Sequence, residues 1–222
     1  MPHHSIGQRP ASVPRSHRCL AGRFRSRLLV TGVLLGLLTA TALHAAPVYS
    51  TNPPHAGKAR IVPVYVDAGF SAADEEQILG AIAEWNRALN GVALLERVKA
   101  PNDPVDGKRP WVIRRSAGRD GIREPGRKDQ NLGTAQPLPM GGGVLIVFSN
   151  AGDYMKQNGL SLRDVMMREL GHVVGLRHDA NGDLLARDYL AGDRSCIDKE
   201  TAQEVARLYA VPVEALNWCG SP

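Results

Sequence analysis

The stretch from Met166 to Asp179 reads MMRELGHVVGLRHD. Glu169, His172, Gly175 and His178 stand in it at spacings that metal chemistry uses. Histidines at i and i+4 share one helical face and can grip a single ion. A glutamate beside the first of them is offset around the helix, placed to take a proton from ion-bound water. Gly175 lets the chain leave a helix sharply, so that His178 can return to the same point. The position four before His172 is Arg168, not histidine. A guanidinium stays protonated and offers no lone pair to a metal. Held about 4 Å from a divalent ion, it would repel that ion by about 8 kcal/mol at an effective dielectric near 20.

Other donors are few. Apart from His172 and His178, the chain downstream of the leader holds His55 and, depending on where the leader is cut, His44. His55 lies in a polar lead-in with a flexible composition, and would have to reach over to complete the site. Asp179 and Asp183 follow the third motif position and read as turn-capping, solvated carboxylates. Cys196 and Cys219 form an even pair and are expected to be a disulfide in an exported chain. Closing that loop stabilises the C-terminal segment by about 3.5 kcal/mol on the chain-entropy model.

The elements that must position these residues follow from periodicity and turn chemistry. RIVPVYVD alternates and is rich in valine, so it reads as a strand. Ser71 with Asp74 and Glu75 makes a helix start, and Ile78, Ile82, Trp85 and Leu89 form a helical apolar stripe that Gly91 stops. VALLERV and WVIRRS are short strand candidates. The segment from Ala117 to Asn131 is a polar, glycine-rich loop, and GGGVLIVFSN is a buried strand entered through glycines. LSLRDVMMRELGHVV is an amphipathic helix ended by Gly175, and DKETAQEVARLYAV is a last helix capped by Asp198. No internal repeat is present.

The N-terminal region has a different character. Residues 1–27 carry six arginines and no acid, then LLVTGVLLGLLTATAL is uncharged and apolar, then small residues follow. That order is a secretory signal peptide, with cleavage after Ala42, Ala45 or Ala46. Its apolar core is too short to favour a membrane span. Removing the six leader arginines from 27 basic residues leaves 21 against 22 acidic, a net charge of −1. The basicity of the whole chain therefore belongs to the leader, and nucleic acid is not expected as a partner. The remaining basic stretch, Lys108 to Lys128, reads as a solvated strand edge and loop.

From about Arg60 to Cys219 the chain resembles the catalytic domain of metzincin zinc peptidases, most of all matrixin-like bacterial ones. RIVPVYVD and AIAEWNRALNG are similar to their first strand and long helix. LGTAQPLPMGGGVLIVF is similar to the cleft's edge strand and the strand after it, and RELGHVVGLRHD to the zinc motif. The resemblance implies an α+β domain over 60–222, preceded by a signal peptide at 1–46 and a short lead-in at 47–59. It implies a mixed twisted sheet with a long N-terminal helix, an active-site helix and a C-terminal helix. It further implies zinc as cofactor, His172 and His178 as ligands, Glu169 as general base, and a polypeptide held along the edge strand. Such families place a methionine turn beneath the metal. Its equivalent here is Leu184 or Leu185, within GDLLARDY. With Arg168 in the first ligand position, weak or absent hydrolysis is expected. The alternatives are a pseudopeptidase that binds extended peptides uncut and a fully active protease with a rescued metal site. The leader implies export to the periplasm or beyond, with no membrane span in the mature chain.

Overall fold

Strand β1 (Arg60–Val66) forms where its valine-rich sequence predicts, and it lies inside a five-stranded sheet ordered β2-β1-β3-β5-β4. Its neighbours are β2 (Ala93–Arg97) and β3 (Trp111–Arg115), both parallel to it, and β5 (Gly143–Val147) runs parallel to β3. Strand β4 (Gly133–Pro137) is antiparallel to β5 and closes one edge. This computed structural model describes residues 49–50, 52–116, 132–149, 151–178, 184–185 and 196–220, all within the unit His44–Pro222. The leader at 1–46, the loop at 117–131, and Asp179 and Asp183 lie outside the described residues.

Register aligns Val64 with Trp111 and Trp111 with Gly143, and in the next row Val66 with Ile113 and Ile113 with Leu145. Because side chains alternate along a strand, these rows project to one face, which is buried. Gly143 is needed there: a Cβ on it would lie 2.4 Å from Cζ3 of Trp111. The same core takes in the helices. In α1 (Ala72–Leu89), Ile78, Ile82, Trp85 and Leu89 are buried. In α3 (Leu162–Val174), so are Met166, Met167 and Leu170. The Trp85 indole N–H donates to the Met167 carbonyl at 2.8 Å, pinning α1 to the helix that carries the motif.

Helix α1 starts as its sequence suggests, with the Ser71 hydroxyl accepting from the Asp74 amide. It stops one residue earlier than Gly91, at Asn90, which adopts the left-handed conformation at φ 46°. Asparagine tolerates that region because its short amide bonds locally. Here the Asn90 side chain donates to the carbonyls of Pro53 and Ala215. The helix expected from Leu160 forms as one piece, α3, beginning at Leu162. A short α2 (Ala151–Gln157) precedes α3, whose start is fixed by a reciprocal Ser161–Asp164 capping box. Asp198 caps α4 (Lys199–Tyr209), and its side chain accepts from the Thr201 amide. Cys196 and Cys219 form a disulfide with Cα atoms 6.0 Å apart. No helix among the described residues is long and apolar enough to cross a membrane.

Candidate functional site

The motif residues meet at the C-terminal end of α3. Gly175 caps the helix at φ 111°, a conformation L side chains rarely adopt, and its amide donates to the carbonyl of His172 at 3.0 Å. The next amide, Leu176, reaches back to the Gly171 carbonyl at 2.9 Å, which closes the turn in the manner of a glycine C-cap. That reversal brings His178 to His172, ring centroids 4.4 Å apart and edge to face.

The hydrogen bonds fix what each imidazole offers. Nδ1 of His172 lies 2.9 Å from the Leu176 carbonyl. A carbonyl only accepts, so Nδ1 carries the proton and the lone pair of the neutral ring sits on Nε2. Nε2 is buried and has no hydrogen-bond partner among the described residues. Such a backbone carbonyl is the arrangement that orients a metal-ligating histidine. His178 is held differently. Its Nδ1 lies 3.5 Å from Nη2 of Arg168, and a guanidinium only donates, so the lone pair of this ring faces the arginine. Arg168 and Glu169 are buried, at 5% and 3% exposure, while His178 is exposed.

Glu169 lies against the sheet edge. A Cβ at Gly133, the first residue of β4, would meet its Cγ at 3.0 Å and the Ile146 carbonyl at 3.2 Å. Helix α3 and β4 approach so closely only because residue 133 has no side chain. Beneath the motif, Leu184 and Leu185 are both buried, and a Cβ at Gly171 would meet Cδ2 of Leu185 at 3.0 Å. Sequence reading missed Gly133, the Leu176 carbonyl and the Trp85 indole, because each matters through a contact between elements distant in sequence or through backbone alone.

The donor set does not fit a three-ligand zinc site. The motif supplies two imidazoles and a cation, and one of the two lone pairs faces that cation. Among the described residues no group of three His, Cys, Asp or Glu could hold a metal ion. His55 does not complete it. Its amide donates to the Asn90 carbonyl at 2.9 Å, at the C-terminal end of α1, and its ring lies over Gly57. The lead-in is tied down there, contrary to its flexible composition.

No family model matches the chain, and no curated protein matches it. Among solved structures it is similar to high choriolytic enzyme 1, a hatching enzyme zinc-protease from the medaka fish Oryzias latipes. That likeness has 13% identity and a TM-score of 0.39, and covers 72% of this chain and 94% of that one.

Proposed function

We propose that the chain is an exported metzincin-like metallopeptidase domain in which Arg168 has taken the first ligand position, leaving peptide hydrolysis weak or absent. The observation that carries this reading is the 3.5 Å approach of the Arg168 guanidinium to Nδ1 of His178. Gly175, His172 and His178 stand at the spacing of a metal motif, and Arg168 brings a positive charge where that motif requires an electron pair. The disulfide agrees with an oxidising compartment.

The test compares the native protein with Arg168→His. The native form is expected to retain less than about a tenth of an equivalent of zinc after dialysis, as two imidazoles bind the ion poorly. The histidine variant is expected to take up about one equivalent and to cleave casein. Chelator-sensitive cleavage by the native protein would overturn the reading.

A second reading, peptide binding without cleavage, is favoured by the sheet edge. Among the described residues β4 pairs only with β5, so its outer side can accept an extended strand. Fluorescence anisotropy of labelled peptide libraries would separate the two. Saturable binding by a non-cleaving native protein supports a binder, and its absence leaves only the degenerate enzyme.

A further inference from the structure

An open sheet has two edges, and the one formed by β2 is closed by a side chain. The Arg60 amide donates to the Val92 carbonyl at 3.0 Å, and the Val98 amide to the Val64 carbonyl at 2.9 Å. Backbone polar groups alternate sides along a strand, so Val92, Leu94, Glu96 and Val98 turn theirs towards β1. Ala93, Leu95 and Arg97 turn theirs away from the sheet. Among the described residues no strand lies on that side. At its centre stands Asn86 of α1. The side-chain nitrogen of Asn86 donates to the Leu95 carbonyl at 3.1 Å, and its oxygen accepts from the Leu95 amide at 2.8 Å. One side-chain amide supplies both the donor and the acceptor that a neighbouring strand would bring to residue 95.

Asparagine is a poor residue for the body of a helix, because its amide competes for backbone groups. Asn86 nevertheless lies within α1, and the bonds of its side chain go to β2 rather than to its own helix. The strand it covers is one that needs a cover. β2 carries Ala93, Leu94 and Leu95 in a row and leaves Leu94 38% exposed. An apolar edge of that kind is a template for another chain. A second copy fits it best. A two-fold axis through Leu95 sets Leu95 against Leu95, Leu94 against Glu96 and Ala93 against Arg97, so no like charges are opposed. We infer that Asn86 is a gatekeeper that occupies the pairing groups of Leu95 and so denies the β2 edge to a second copy of this chain. Nothing in this closure depends on whether the motif around Arg168 binds metal.

Hydrogen exchange and sedimentation, both on the full, disulfide-intact chain, read the bond and the association separately. In the native protein the Leu95 amide should exchange about ten-fold more slowly than the Arg97 amide, which turns outward beside it, the scale of one hydrogen bond. Equal rates overturn the inference. Asn86→Ala removes donor and acceptor and puts the best helix former in their place, so α1 is kept. Over a dilution series the native mass should stay constant, while the alanine variant should reach twice that mass as concentration rises. When dilute, its Leu95 amide should exchange about ten-fold faster than native, and in the associated form it should be protected again. An alanine variant that keeps the native mass at every concentration overturns the inference. So does association that leaves the Leu95 amide fast or that grows beyond twice the native mass, since pairing then lies elsewhere. Should the alanine variant fail to fold, Asn86→Ser, whose hydroxyl is too short to reach Leu95, is judged by the same readouts and the same outcomes.

Discussion

Gly133 shows how much of this site is decided by one missing methyl group. Its neighbours are the stem of Glu169 and the Ile146 carbonyl, one from α3 and one from the sheet. Gly133→Ala places a Cβ about 3 Å from both. The carbonyl belongs to a strand and cannot yield, so the helix side must move. The expected cost is about 1–3 kcal/mol, the usual range for overpacking a core. It should show as a lowered urea midpoint with unchanged slope. Combining it with Glu169→Ala should recover part of the loss, because the two side chains compete for one space. Strict additivity in that double mutant would mean that Glu169 is not what Gly133 makes room for. At this scale the sequence was legible where chemistry is written as spacing: Arg168, Glu169, His172, Gly175 and His178 all fall within eleven residues and one turn. Gly133 was not legible, since its importance comes from Glu169, thirty-six positions away in sequence.

Glu84 is the buried carboxylate of α1, and it faces α3. This glutamate is 4% exposed, with Oε2 at 3.5 Å from Nη2 of Arg163 and 4.0 Å from Nη1 of Arg87, and with Oε1 unpartnered among the described residues. Burial raises its pKa above the ordinary glutamate range, and the two arginines only partly oppose that. A raised carboxyl favours the folded state when protonated. Its contribution is complete below the unfolded value of about 4.3 and is lost as pH rises through the folded value. Glu84→Gln removes this titration, so the variant should gain on the native protein as pH rises from about 4 towards neutrality. Paired urea titrations across that window would show it, and a native-to-variant difference independent of pH would refute it. The helices themselves were legible from their periodic apolar residues, Ile78 through Leu89 in α1 above all. The ends were less so. Asn90 rather than Gly91 closes α1 because its amide finds carbonyls on two other segments. The seven residues of α2 are too few for a period to register.

Across the whole described chain, its two ends are joined. Tyr49 bridges Cys219 in antiparallel fashion, and the Ser50 amide donates to the Trp218 carbonyl at 2.9 Å. The Asn52 side chain donates to Leu216 at 2.7 Å, and the Asn217 amide donates to Ala88 in α1 at 2.9 Å. The Cys196–Cys219 disulfide anchors this same C-terminal segment to the chain just before α4, where the Cys219 amide also donates to the Ile197 carbonyl. The pairing of the cysteines was legible by count. Its consequence was not, because the asparagines that relay it are unremarkable in sequence and act only through tertiary bonds. The disulfide thus supports two segments at once: the C-terminal segment directly, and the lead-in through the bonds from Ser50 and Asn52. Replacing both cysteines by serine should cost about 3.5 kcal/mol, the chain-entropy value for a loop of this size. Hydrogen exchange should then show a pattern that entropy in the unfolded chain alone would not produce. The Ser50 and Asn52 amides should lose protection well before those of β1 and β5, since they depend on a segment that is no longer anchored. A uniform loss of protection across the sheet and the lead-in would mean that the crosslink acts only on the unfolded state, and that the two ends hold each other without it.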